Sequence, residues 1–146
     1  MDDSDLGALL DERRGLPTGD AADWRDRYDP LVDETLRHRR LDSPTVSVIV
    51  VGWRSAGEIF HCLTSIADQQ GVDELEVILV DNGGLQTVRS SFPDYVDLEI
   101  RMHGNVRLCR ARNTGVAWAS GDLVAFVDDD GRLRDDYFRR ALPYFD

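Results

Sequence analysis

Three consecutive carboxylates, Asp128-Asp129-Asp130, close the apolar run LVAFV and are followed by Gly131. Like charges side by side repel one another, so the triplet costs stability unless something offsets it. Oxygen-rich clusters suit hard divalent cations such as Mg²⁺ or Mn²⁺. A cation held there would neutralise a diphosphate and stabilise it as a leaving group. Asp and Gly also favour turns, so a solvated turn is the competing reading.

Asp81 closes a second apolar run, LEVILV, and is followed by Asn82-Gly83-Gly84. Its carboxylate could accept a hydrogen bond from a base N–H or a ribose hydroxyl. The glycines would let the backbone turn sharply and approach a ligand. An Asx-type turn is the alternative. Arg107, Arg110 and Arg112 line the entry to a helix and could pair with phosphate in forked geometry; for Arg110 a solvated face is the simpler reading. Trp53 could stack on a base or serve as a packed loop aromatic. His38, His61 and His103 are scattered and form no ligand set, and Cys62 and Cys109 lack metal-type spacing.

These residues need a scaffold, and the hydrophobic pattern predicts one. VSVIVV (residues 46–51) is a continuous β-branched run, as expected of a strand buried on both faces. Ser55-Ala56-Gly57-Glu58 fits a capping box, with Ser at the N-cap and Glu three residues on. Ile59, Leu63 and Ile66 then follow at helical spacing. Further strands are predicted at residues 75–80, 98–102 and 123–127. A short helix is expected after the second strand, a longer one over residues 107–119, and a last one around Tyr137 to Leu142. Alternating strands and helices with apolar strands indicate a parallel sheet covered by helices. Ligands in such sheets bind beyond the carboxyl ends of the strands, where the polar clusters fall.

Residues 1–43 differ. They are dense in Asp and Arg and form an acidic leader, helical or partly disordered, with a boundary near Ser43-Pro44. Asp29-Pro30 resembles an N-cap followed by Pro at the first helical position, predicting a helix through about Arg40. The remainder, residues 44–146, is one α/β unit: a mostly parallel, Rossmann-like sheet of about four strands with helices on both faces.

The 146 residues include 28 acidic and 17 basic ones, a net charge of -11, and every basic residue is arginine. An acidic surface repels phosphate backbones, which argues against nucleic-acid binding. It argues equally against a basic membrane-docking surface. No apolar run approaches the roughly 20 residues of a membrane span, and the N-terminal stretch lacks an apolar signal core. The expected location is cytoplasmic, either free or peripheral at the inner face of the membrane.

Taken together, the motifs resemble family 2 glycosyltransferases of the GT-A fold. VSVIVVGWRSAGEIFHCLTSI is similar to their opening strand and helix. LEVILVDNGG is similar to their second strand. GNVRLCRARNTGVAWASGDLVAFVDDD resembles their Asn-x-Gly, Ala-Arg-Asn-x-Gly, Gly-Asp-x-apolar-Asp-x-Asp progression. Each piece is weakly specific, whereas all of them together, in the right order, are strong. The resemblance implies transfer of a sugar from a nucleotide-diphosphate donor to an acceptor hydroxyl, with Mn²⁺ or Mg²⁺ as cofactor. It assigns Asp81 to the base, Asp128 to the neighbourhood of the ribose, Asp130 to the metal and Arg112 to the donor. Glu58 matches a Glu early in the first helix, and Trp53 is the aromatic retained from the opening loop. These make Trp53, Glu58, Asp81, Arg112 and Asp128 the expected nucleotide-sugar residues, and Asp128 and Asp130 the metal pair.

Three departures stand out. The opening loop's Pro-Thr-Tyr-Asn is here Val51-Gly52-Trp53-Arg54. The glycine usual after Asn105 is replaced, leaving Arg107 where a small residue is expected, to crowd the donor's phosphates or bind them. Finally, the resemblance places the acceptor-binding half and catalytic base after the Asp-x-Asp strand. The base is therefore expected outside this chain, in a C-terminal half or a partner chain, and the acceptor (lipid-linked, glycan or protein) is left open. Two other functions compete: a catalytically inactive nucleotide-binding module, and a nucleotidyltransferase. The second usually shows a Gly-rich basic phosphate loop after the first strand, which residues 51–55 do not resemble.

Overall fold

The computed structural model describes residues 21–145, with side chains from residue 24 onward. The leader's first 20 residues lie outside this range.

Five strands form one sheet in the order β1-β4-β3-β2-β5. They are β1 (Val32–Arg37), β2 (Val46–Gly52), β3 (Leu75–Asp81), β4 (Leu98–Met102) and β5 (Leu123–Asp128). The pairs β2–β3, β2–β5 and β3–β4 are parallel, and only β1 runs antiparallel, against β4. Every residue of β2 is buried, as the unbroken β-branched run requires of a central strand.

The helices α1 (Ala21–Tyr28), α2 (Ile59–Ala67), α3 (Leu108–Trp118) and α4 (Tyr137–Ala141) divide between the two faces. Alternation along β2 shows how. Val46, Val48 and Val50 pack against Ile59, Leu63 and Ile66 of α2, with Phe92 and Phe138. Ile49 and Val51 pack on the opposite side with Tyr28, Ala111 and Ala117. Gly115 of α3 lets that helix come close to the sheet: a Cβ there would stand 2.6 Å from Ile49 Cγ2.

Two expectations are corrected. Residues 29–40 are not a helix. Asp29–Leu31 make a 3-10 turn with Pro30 in its first positions, and Val32–Arg37 follow as β1. The local helix signal loses to long-range pairing with β4, in which Thr35 lies opposite Ile100 and Leu36 opposite Glu99. Side chains reinforce the pairing: Arg101 of β4 pairs with Glu34 of β1, and His38 hydrogen-bonds Glu99; Arg37 reaches further, to Glu76 of β3. The part of the leader from residue 32 thus extends the sheet to a fifth strand, with charged side chains suited to an edge.

The capping box does not form either. α2 starts at Ile59, with Glu58 at the N-cap position and no side-chain cap. Ser55 contributes its carbonyl, which accepts the N–H groups of Glu58 and Ile59 at 2.9 Å each. Its buried Oγ has no hydrogen-bond partner among the described residues. A turn at residues 56–58 intervenes between Ser55 and the helix, so the hydroxyl sits one turn too early to cap it.

β5 is the other edge. Leu123, Ala125 and Val127 pack inward, while Val124 and Phe126, on the alternate side, remain 38% and 48% exposed.

Candidate functional site

The chain builds outward from β2 to β3 to β4, then returns to add β5 on the other side of β2. Ligands in open α/β sheets settle at the carboxyl ends of strands beside such a reversal. The register puts Val51 of β2 opposite Asp128 of β5, and Gly52 opposite Asp81 of β3. All three polar strand ends therefore meet at one edge of the sheet.

A cleft of about 440 Å³ opens there, and Trp53, Asn82, Arg107, Asp128, Asp129 and Asp130 are among the residues lining it. The triplet spreads around the turn that follows β5, which the Gly131 N–H to Asp128 carbonyl bond closes at 2.8 Å. Asp128 takes a hydrogen bond from Arg112 Nη2 at 2.7 Å. That pair is open to water, 33% and 67% exposed, and contributes at most about 1 kcal/mol. Asp129 accepts the backbone N–H of Trp53 at 3.1 Å, tying the β5 turn to the β2 loop. No hydrogen bond or ion pair engages Asp130 among the described residues, and its side chain is exposed.

The field of the triplet reaches inward. The thiol of Cys62, buried in α2, is pushed up to about 12, first by burial and then by the charges of Asp129, Asp128 and Asp130. Cys62 is therefore a neutral core residue, and the carboxylates above it repel any second negative charge.

Asp81 is placed differently. Its side chain is fully buried, and it bonds Arg89 Nε at 2.8 Å through Oδ2 and the Gly83 N–H at 3.0 Å through Oδ1. It forms the Asx turn named as the alternative, with a guanidinium added. Gly83 and Gly84 adopt φ of 114° and 78° to complete it. At Gly84 a Cβ would meet the Arg54 backbone at 3.0 Å, so this loop needs its glycine. The N–H of Arg54 donates to the Gly83 carbonyl at 2.9 Å, which joins the two loops beneath Trp53. Trp53 is half exposed, with the Arg54 guanidinium 4.9 Å from its ring centroid.

The structure thus brings Trp53, Asp128 and Asp130 into one cleft and holds Arg112 beside it through Asp128. Asp81 lies beneath the neighbouring loop. Glu58 is exposed at the start of α2 and is not among the residues that line the cleft. Residues that sequence reasoning passed over do structural work here. The Asn82 Oδ1 accepts the Val106 N–H at 2.9 Å, and its Nδ2 donates to Asn105 Oδ1 at 3.1 Å. Their asparagine identity, each next to a turn, was the available signal. Nothing in the sequence marks Arg89 as the partner of Asp81, because an irregular 3-10 stretch, Gln86–Asp94, folds it back.

The carboxylates are hard oxygen donors, the chemistry Mg²⁺ and Mn²⁺ prefer. Among the described residues no three acidic, His or Cys side chains converge on one point. Mg²⁺ is usually taken by one or two carboxylates together with substrate phosphates. Asp130 and Asp128 are the residues that would hold it.

An α/β sheet of mostly parallel strands with carboxylates at the strand reversal defines the class: the fold resembles that of GT-A glycosyltransferases. Residues 47–146 match Glycosyl transferase family 2, and the chain belongs to that family of enzymes. Glycosyltransferase AglE of Haloferax volcanii is 32% identical over 105 residues, covering 68% of this chain and 34% of that protein. Pre-mycofactocin glycosyltransferase of Mycobacterium tuberculosis is 32% identical over 124 residues, 79% of this chain and 25% of the relative. S. aureus TarS 1-349, solved in complex with UDP, superposes with a TM-score of 0.61 at 25% identity, over 69% of this chain and 32% of TarS. The chain spans roughly a third or less of these proteins' length. Among the described residues no helix is long and apolar enough to cross a membrane.

Proposed function

We propose that this chain supplies the donor site of a glycosyltransferase that moves a sugar from a nucleoside-diphosphate carrier to an acceptor hydroxyl. The observation that carries this is Asp128-Asp129-Asp130 at the carboxyl end of β5, lining one cleft with Trp53. The complex of TarS with UDP supports a nucleoside-diphosphate ligand for that cleft. Asp130, exposed and unengaged, and Asp128 hold the divalent cation, which when bound offsets the negative charge of the departing diphosphate. Arg112 orients Asp128. Trp53 offers an aromatic face at the cleft's rim for the base or the sugar. Asp81 acts at the base end through what it positions, the Gly83 turn and Arg89, since both its oxygens are already engaged.

The reaction is an inverting displacement at the anomeric carbon. Its general base and acceptor cleft come from sequence beyond this chain or from a partner chain, as the relatives' greater length suggests. The two free thiols, Cys62 and Cys109, fit a reducing, cytoplasmic setting. A donor-turnover assay on the purified chain, with hydrolysis and transfer measured separately, tests the division of labour. The expected outcome is nucleotide binding without transfer, because general-base help contributes about 10²–10⁴-fold and needs a group at the acceptor hydroxyl. Robust transfer by this chain would show that it carries its own base.

A further inference from the structure

Arg107 occupies a backbone conformation that suits glycine and not arginine. Its φ of 71° and ψ of 162° fall in a region that is essentially glycine-only. The turn is imposed from beneath. Asn82 fixes Val106, which is fully buried, and Asn105 Oδ1 accepts the Arg107 N–H at 2.9 Å. None of these contacts involves the side chain at position 107, so a glycine would adopt the same turn without strain.

Arg107 is exposed and is among the residues lining the cleft that also holds Asp128, Asp129 and Asp130. Among the described residues no hydrogen bond or ion pair engages its guanidinium, whereas the nearby Arg112 is committed to Asp128 at 2.7 Å. The cleft thus presents three carboxylates and one uncommitted cation with five N–H donors. A guanidinium's rigid fork matches two oxygens of a phosphate.

We propose that Arg107 grips the diphosphate of the donor, as a cationic contact separate from the metal, in the site proposed above. The carboxylates need the metal before they tolerate a diphosphate, while Arg107 attracts it directly. The cleft then keeps part of its diphosphate affinity when the metal is withdrawn.

Calorimetry on the whole chain tests this, with UDP, GDP and uridine as probes, in Mn²⁺ and again in EDTA. Arg107→Gly is the informative variant, because glycine relieves the backbone and the fold should melt no lower than wild type. The expected result is UDP affinity reduced about tenfold or more in both conditions, the size of one charge-assisted hydrogen bond, with uridine affinity unchanged. Arg107→Lys should fall between the two. Wild-type UDP affinity in Arg107→Gly overturns the assignment. Tighter UDP binding overturns it as well, and shows that the arginine crowds the cleft. Equal losses for UDP and uridine mean that Arg107 does not read the diphosphate. If wild type itself binds neither UDP nor GDP, the donor site falls, and this role with it.

Discussion

The two ends of the sheet carry acidic residues in opposite circumstances. At the amino end Glu76, on β3 opposite Ser47 of β2, is 1% exposed. Burial works against its charge, but hydrogen bonds from Ser47, from the N–H and hydroxyl of Ser120 and from Arg37 outweigh it, and its carboxyl is held below the usual glutamate range. At the carboxyl end, Asp128 and Asp130 are exposed and two residues apart; Asp128 has one exposed pairing, with Arg112, and no hydrogen bond or ion pair engages Asp130 among the described residues. A buried carboxylate with all its partners locks a fold. Exposed carboxylates with few partners leave their oxygens open to solvent and to any ligand that enters the cleft. The same residue chemistry therefore does structural work at one end and is left available at the other.

The largest effect expected from breaking this contrast is at Glu76. Glu76→Ala removes a carboxylate that four hydrogen bonds hold and strands Ser47 and Ser120 without it. A loss of about 3–5 kcal/mol is expected, since removing one side of a buried charged cluster leaves the rest unsatisfied. Urea denaturation followed by circular dichroism measures it. A loss under about 1 kcal/mol would mean that water replaces the network and that the amino end is no lock.

Asp81→Ala comes next. It was natural to expect from sequence a binding residue that could be removed with the fold intact. The pairing with Arg89 and Gly83 changes that expectation to a stability loss of about 1.5–3 kcal/mol, because charged hydrogen bonds inside the fold are lost. Nucleotide affinity measured by calorimetry below the variant's melting temperature should fall as well, through the loosened 81–84 loop. Unchanged stability would return Asp81 to a purely ligand-directed role.

The pH dependence sharpens the same comparison. The folded-state pKa of Glu76 is depressed, so its contribution is fully present above the unfolded value. It is lost as pH falls through the folded value, below the ordinary glutamate value of 4.5. Stability against urea should fall on acidification below about pH 4.5 more steeply in wild type than in Glu76→Gln, which has no carboxyl to protonate. Parallel curves would remove Glu76 as the source.

How much of this was legible in sequence follows the range of the interactions. Strands β2, β3 and β5 were readable because each is a largely apolar run, β4 because Leu98, Ile100 and Met102 alternate, and α2 because Ile59, Leu63 and Ile66 repeat at helical spacing. The clustering of Trp53 and Asp128 to Asp130 followed from the rule that parallel strands present their carboxyl ends to ligands. β1 was not readable: VDETLR has too few apolar residues to announce a strand, and its partner β4 lies some sixty residues away. The Asp81–Arg89 pair was hidden for the same reason, since an irregular segment carries no period from which to place a side chain. The failed capping box shows a motif matched in type but displaced by one turn.

The smallest structural effect belongs to the residue that the proposed function assigns to the metal. Asp130→Asn removes one of three mutually repelling charges, so the apo protein should change by no more than about 0.5 kcal/mol, the usual range for surface substitutions. Its consequence should appear only with ligand. The direct measurement is therefore a thermal-shift titration of wild type and Asp130→Asn with UDP and with GDP, each in Mn²⁺ and in EDTA. If the carboxylates at the end of β5 hold the metal that grips the diphosphate, at least one nucleotide at 100 times its dissociation constant should stabilise wild type by about 2.7 kcal/mol in Mn²⁺. That gain should shrink sharply in EDTA and in Asp130→Asn. Stabilisation that is equal with and without Mn²⁺, or equal in the variant and wild type, would contradict the metal site at the carboxyl end of the sheet.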